Sequence, residues 1–192
     1  MGEPAPRRWT YAEYLAHERA SEGKHEFLDG RILAMAGGSR DHGLLAANTI
    51  GALVAGLRDR PCRVYSSDVR LRIPETGLAT YPDLSVVCAE PEPHPEDADA
   101  VTNPILLVEV LSETTERRDR GEKLAHYETL QSLHHYLLVV HDKVRIEHFH
   151  REDGGTWTWR SYGPGERIAL DGIDCTLAVD EVYAKTELRA GG

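Results

Sequence analysis

Ile105-Leu106-Leu107-Val108 is an unbroken apolar run, and Glu109 follows it directly, ahead of Val110-Leu111. Successive residues of a strand point to opposite faces, so a run without polar alternation is apolar on both. A strand of this kind is stable only inside a sheet that is covered on both sides. That restricts the chain to layered architectures with helices, or a second sheet, packed on each face. The same context makes Glu109 conspicuous. A carboxylate within such a strand is costly unless it is paired with a cation or coordinates a metal.

The rest of the chain supplies helices and further strands. Residues 9–19 read as a short helix, with Thr10 and Glu13 spaced as a capping box. In residues 25–35, two apolar runs flank Asp29-Gly30, a dipeptide suited to the positive φ angles of a hairpin turn. Residues 41–58 carry Leu44, Leu45, Ile50, Leu53, Val54 and Leu57 at helical spacing, with Asp41 as the candidate cap. Strands are predicted over 63–66, 69–73 and 81–88, then over 104–111. Residues 114–130 read as a polar, charged helix. Strands over 135–140 and 144–150 join near Asp142-Lys143, and 157–162 and 167–170 continue the sheet. Residues 176–183 close as a short helix or turn. The predicted class is α/β, with helices placed before and within a mixed central sheet.

Composition sets limits on partners. With 22 Lys and Arg against 32 Asp and Glu, the formal net charge is −10. Proteins that grip nucleic acid mainly through its phosphates carry a basic face, and no basic surplus exists here. Part of the acidity lies in residues 90–99, where Glu90, Glu92, Glu96, Asp97 and Asp99 alternate with prolines; this segment reads as a solvated, mobile loop. No apolar run reaches the roughly 18 residues of a membrane span. Residues 1–8 lack the apolar stretch of a secretory signal, so a cytoplasmic location is expected. Cys62, Cys88 and Cys175 are odd in number and widely spaced, and read as buried, reduced thiols.

Candidate chemistry sits at strand ends. Asp83 follows Pro82 at the mouth of an apolar strand, and Glu109 lies inside another. On neighbouring central strands the two acids can converge on one hard divalent cation. The plainer possibility for Asp83 is a loop cap or a pair with an arginine. Lys123 lies on the helix after the Glu109 strand. Taken alone it is a solvated helix residue; near the site it would stabilise phosphate charge or orient water. His42 follows Gly37-Gly38-Ser39 and is either a surface or capping histidine, or a base, ligand or phosphate donor. Glu26, in the first hairpin strand, is a candidate third acid.

Five pieces occur in order: Glu26-x-x-Asp29-Gly30, Ser39-x-x-His42, Pro82-Asp83-Leu84, Glu109-Val110-Leu111-Ser112 and Asp119-x-x-x-Lys123-x-x-x-Tyr127. Together they resemble the Uma-two family of restriction-endonuclease-like proteins, within the PD-(D/E)XK nuclease superfamily. The resemblance spans roughly residues 10–142. It implies a restriction-endonuclease-like core; the residue pattern itself, with no internal repeat and no second domain, leads to the expectation of a single domain over 1–192 with additional antiparallel strands over 143–183 and a frayed tail at 189–192. The resemblance also implies magnesium dependence, with manganese as a substitute, and hydrolysis of phosphodiester bonds. Asp83, Glu109 and the carbonyl of Val110 become metal ligands and Lys123 the catalytic lysine; Glu26 and His42 match positions around the same site.

One departure is visible. The superfamily's usual acid-x-lysine places the lysine two residues after the acid, and here that position is Leu111. The resemblance implies a lysine relocated to the next helix. Nucleic acid, DNA first, is the expected partner, and a homodimer is consistent with cutting two strands. Two other classes stay open at this point: a nuclease-fold binding module without efficient cleavage, and a hydrolase of a small phosphorylated molecule.

Overall fold

The computed structural model describes residues 7–188, and the tail expected to fray at 189–192 lies outside them. The order begins with α1 (Tyr11–Ala20), the strands β1 (His25–Leu28) and β2 (Arg31–Ala34), and α2 (Arg40–Gly56). Next come β3 (Arg63–Ser66), β4 (Arg70–Ile73), β5 (Leu78–Thr80), β6 (Leu84–Val87), β7 (Pro93–His94), β8 (Asp97–Val101) and β9 (Leu106–Val110). A helical stretch follows: α3 (Glu116–Arg118), a π-helical turn over Asp119–Lys123, and α4 (Leu124–Tyr127). Strands β10 (His135–Val139), β11 (Ile146–Arg151), β12 (Trp157–Tyr162), β13 (Arg167–Leu170) and β14 (Cys175–Ala178) precede α5 (Val179–Val182).

Local chemistry accounts for the first elements. The Thr10 hydroxyl accepts from the Glu13 N–H, and the Glu13 carboxylate accepts from the Thr10 N–H at 2.8 Å, completing the capping box. Asp29 and Gly30 both have positive φ, 50° and 76°, so β1 turns tightly into β2 with Phe27 opposite Ile32. Ser39, not Asp41, caps α2: its hydroxyl accepts from the His42 N–H.

The strands form two six-stranded sheets, in the orders β2-β1-β5-β4-β8-β7 and β12-β11-β10-β9-β6-β3. Both are mixed, since β4–β8 and β9–β10 run parallel among antiparallel neighbours. Strand β9 lies between β6 and β10, well inside the second sheet. Leu106, Val108 and Val110 pack with Leu45, Leu53 and Leu57 of and beside α2. Leu107 and Leu111 pack on the other side, with Leu71, Ile73 and Leu78 of the first sheet and with Tyr127 and Leu130. Both faces of the apolar run are therefore covered, and each fully buried aliphatic side chain contributes roughly 2 kcal/mol.

Several expectations are corrected. Residues 90–99 do not form a free loop: they hold β7 and the start of β8, and Asp97 is wholly buried against Arg70, with Nε–Oδ2 at 2.6 Å and Nη2–Oδ1 at 2.9 Å. Acidic composition conceals a buried ion pair because its partner is distant in sequence. Cys62 and Cys88 form a disulfide, leaving Cys175 as the buried free thiol. Register explains this, since Arg63 pairs with Val87 and so sets Cys62 opposite Cys88. Strand β13 leaves the main sheet, which it was expected to continue, and pairs with β14; the short helix expected over 176–183 forms only over Val179–Val182, because residues 176–178 belong to β14. No helix of the described residues is long and apolar enough to cross a membrane.

Candidate active site

Glu109 occupies the face of β9 that looks away from α2, between Leu107 and Leu111, and is 4% exposed. Strand β6 runs antiparallel beside β9 with Leu84 opposite Val108, which brings Asp83 next to Val110. There the Asp83 Oδ2 accepts from the Val110 N–H at 2.6 Å. Two acids far apart in sequence thus meet through a single strand pairing.

The helical stretch after β9 supplies the cation. Its π turn buries both Asp119 and Lys123, although the surrounding residues are charged. Such wide turns recur where a helix carries functional side chains inward. Lys123 Nζ donates to Glu109 Oε1 at 2.8 Å, and lies 3.1 Å from Asp119 Oδ1 and 3.7 Å from Glu26 Oε1. The Tyr127 hydroxyl, one turn further on, donates to the same Glu109 oxygen at 2.8 Å.

From the other side, α2 brings in His42, whose Nε2 lies 3.3 Å from Asp83 Oδ2. Gly38 makes this approach possible: a Cβ there would stand 2.6 Å from His42 Nδ1. Glu26 arrives from β1 of the first sheet. Its carboxylate accepts from the Thr80 hydroxyl and forms an ion pair with Arg118, so it flanks Lys123 with both oxygens engaged. All five residues expected at the site are therefore gathered in one region. Glu26 stands in the layer behind Lys123, while the others line an open cleft of about 170 Å³ shared with Val110 and Asp119. A larger cleft of about 630 Å³ continues from it past Gly37, Gly38, His42 and Asp83.

Electrostatics follow from this packing. Burial pushes the Glu109 carboxyl up to about 8; Lys123 pulls it down, and Asp119 and Asp83 reinforce the rise. For Lys123, burial disfavours the charge, but the attraction of Glu109, Asp119 and Glu26 outweighs it and raises the ammonium above its ordinary value. The hydrogen bond to Asp83 raises His42 against the opposing effect of burial.

Can these groups hold a metal? Among the described residues, no three His, Cys, Asp or Glu side chains stand in metal-binding geometry. The donors at hand are Asp83 Oδ1 and Glu109 Oε2, whose sister oxygens take the protein hydrogen bonds. Val110, whose carbonyl the family resemblance adds to the ligand set, lines the same cleft. Magnesium commonly takes one or two carboxylates and keeps several waters, so this sparse oxygen set fits it.

Sequence reasoning left four contributors without a role: Thr80, Arg118, Asp119 and Tyr127. The i, i+4 spacing of Asp119, Lys123 and Tyr127 was the available signal, since it places all three along one side of a helix. Thr80 and Arg118 gave none.

The architecture is that of a restriction-endonuclease-like domain. A solved structure from Anabaena variabilis ATCC 29413, described as "a putative nuclease belonging to DUF820", matches it with a TM-score of 0.69 at 13% identity, covering 85% of this chain and 91% of that one. The family model described as "Putative restriction endonuclease" matches residues 11–180, and the chain belongs to this family, Uma2. Two relatives come from Synechocystis sp. (strain ATCC 27184 / PCC 6803 / Kazusa). The "Uncharacterized protein slr1290" is 37% identical over 171 residues, 89% of each chain. The "Uncharacterized protein sll1609" is 36% identical over 148 residues, 77% of this chain and 84% of its own.

Proposed function

We propose that the protein is a divalent-metal-dependent endonuclease that hydrolyses phosphodiester bonds of nucleic acid, DNA first, in the cytoplasm. One observation carries this: Asp83, Glu109 and Lys123 reach a single cleft from β6, β9 and the π turn. Asp83, Glu109 and the Val110 carbonyl would hold magnesium, or manganese in its place. Bound there, the ion would lower the pKa of a water and polarise the scissile phosphate. Lys123, kept charged by its carboxylate neighbours, is suited to meet the negative charge that grows on the phosphate. His42, leaning on Asp83, is suited to donate to a phosphate oxygen. Glu26 is a positioning residue that holds Lys123 and Arg118 in place.

A second function has its own support. The net charge of −10 weakens any long-range attraction for a polyanion, which favours a nuclease-fold module that binds nucleic acid but cleaves it poorly. A homodimer is part of the proposal as well: β12 is an edge strand, and its Trp159 is 57% exposed.

The test is cleavage of plasmid DNA and of RNA with magnesium or manganese, compared among the wild type, Asp83→Ala and Glu109→Ala. Metal-dependent cleavage lost in both variants is the expected result. Cleavage unchanged in the variants would overturn the assignment, and metal binding without any cleavage would favour the binding module.

A further inference from the structure

The small cleft at Asp83 and Glu109 opens into the larger one of about 630 Å³, and the two share residues 35–38, His42 and Asp83. The candidate catalytic groups are recessed at this junction. The side chains of Glu109 and Lys123 are 5% and 6% exposed, and those of Asp83 and His42 16% and 21%. A phosphodiester therefore reaches them by entering the clefts, not by lying on a flat outer surface. Beyond the shared stretch, α2 lines the larger cleft with Gly43, Ala46, Ala47 and Ile50, which bring no charge and no hydrogen-bonding side chain. Lys24, just before β1, and Ser66 and Ser67, at the end of β3, supply its polar part. Among the described residues, Lys24 is the one lysine or arginine on this lining. Its ammonium donates to the Ser67 carbonyl at 2.8 Å and to the Asp68 carboxylate at 2.6 Å. The Asp68 side chain is 80% exposed, and an ion pair this open stabilises little and is readily exchanged for a phosphate.

Size, walls and charge decide what such a cleft can take. Its volume falls within the range of about 300–1,000 Å³ that sites for single small molecules occupy. That suits one nucleotide and is far too narrow for a duplex. The α2 wall offers a phosphate no donor, but it can pack on the face of a nucleobase, whose π surface needs no hydrogen bond. Charge agrees with this. A duplex carries one negative charge per roughly 1.7 Å of axis, whereas this chain has a net charge of −10 and a single ammonium on the lining. A single strand presents a lower charge density, and it can bend into a recess that a paired strand enters only by unpairing.

Resting on the nucleic-acid function proposed above, we propose that the larger cleft seats one unpaired nucleotide beside the scissile phosphate, so that the substrate is single-stranded or locally unpaired nucleic acid. The base lies against Gly43, Ala46, Ala47 and Ile50, and the scissile phosphate lies at the junction with His42 and Asp83. Lys24, Ser66 and Ser67 meet the sugar and phosphate on the other side of that base. Fully paired nucleic acid must give up the pairing and stacking of one nucleotide to enter, and this cost sets the preference.

The experiment uses the full chain and one labelled sequence in three forms: a single strand, a fully paired duplex, and a duplex with one bulged nucleotide. The series is run in DNA and again in RNA. Affinity is read by fluorescence anisotropy in calcium, and cleavage is followed in manganese. The single strand and the bulged duplex should be bound and cut about tenfold or more better than the paired duplex. Gly43→Leu and Ala47→Leu place side chains in the seat. A Cβ at Gly43 meets nothing within 4 Å and leucine is the better helix former, so that variant should melt no lower than wild type. Both variants should weaken single-strand binding by about tenfold, with calorimetric manganese affinity unchanged. A paired duplex bound within about twofold of the single strand would overturn the proposal, as would variants that bind the single strand within about twofold of wild type. A protein that binds single strands with this preference but cuts nothing keeps the seat and removes the hydrolysis. One that cuts paired duplex as readily as single strand keeps the nuclease and removes the seat.

Discussion

Lys123 Nζ donates to Glu109 Oε1 at 2.8 Å across a sequence separation of 14. The contact ties the middle of the second sheet to the π turn that follows it. Both groups are almost fully buried: the Lys123 ammonium is kept charged by the carboxylates around it, whereas burial holds the proton on Glu109 up to about 8 despite the pull of Lys123.

Removing one member of such a pair strands the other. Lys123→Ala is expected to destabilise the fold by about 3–5 kcal/mol, read by urea denaturation at a pH above the Glu109 titration near 8, where that carboxylate is ionised. Manganese should recover part of that loss by supplying Glu109 with another cation. A variant as stable as wild type, or one untouched by manganese, would contradict the buried pairing.

Glu109 also sets a pH dependence. Its carboxyl titrates near 4.5 in the unfolded chain and near 8 in the fold. Between those values the folded state holds a proton that the unfolded state has released, so this residue makes stability fall as pH rises through the window. A divalent cation requires the ionised form and opposes the loss. Melting measured with and without magnesium should therefore show a larger metal-induced rise at pH 8 than at pH 5.5. Equal rises at both would count against Glu109 as a ligand.

The acid side has a different origin. His135 and His148 lie on paired strands β10 and β11, with Nδ1 and Nε2 at 3.0 Å, and burial lowers them to about 4 and about 3. Unfolded histidines take up protons near 6.5, well before these do. Stability contributed by the pair is present above that value and is lost as pH falls through the lowered values. The double variant His135→Phe, His148→Leu should unfold less steeply between pH 6.5 and 4 than wild type. An unchanged slope would assign the acid sensitivity elsewhere.

Asp97→Ala tests the corrected acidic segment. With Arg70 and the Tyr11 hydroxyl both deprived of their acceptor, a loss of about 3–5 kcal/mol is expected. If the segment were a solvated loop, the change would stay within about 0.5 kcal/mol.

Much of the candidate site was legible in the sequence. An acid inside an apolar strand, a second acid behind a proline and the ordered spacing of His42 and Lys123 all carried signals, and the structure gathers them. What was hidden involves pairing. Arg118 and Thr80 look like ordinary surface or strand residues until β1, β5 and α3 bring them onto Glu26. Cys62 and Cys88 look unrelated until β3 and β6 pair, and Asp97 looks solvated until Arg70 covers it.

The sequence by itself determined which elements form and which faces they bury, because helix caps, turn dipeptides and apolar periodicity act between near neighbours. It also marked Glu109, since a charge within an apolar run needs a partner wherever the strand ends up. Only the tertiary structure decided who those partners are. Strand register set Asp83 beside Val110, and the π turn carried Lys123 and Asp119 into the core. Burial then raised the Glu109 carboxyl and gathered Asp119 and Glu26 around the Lys123 ammonium, and these effects depend on contacts between segments that no local rule brings together.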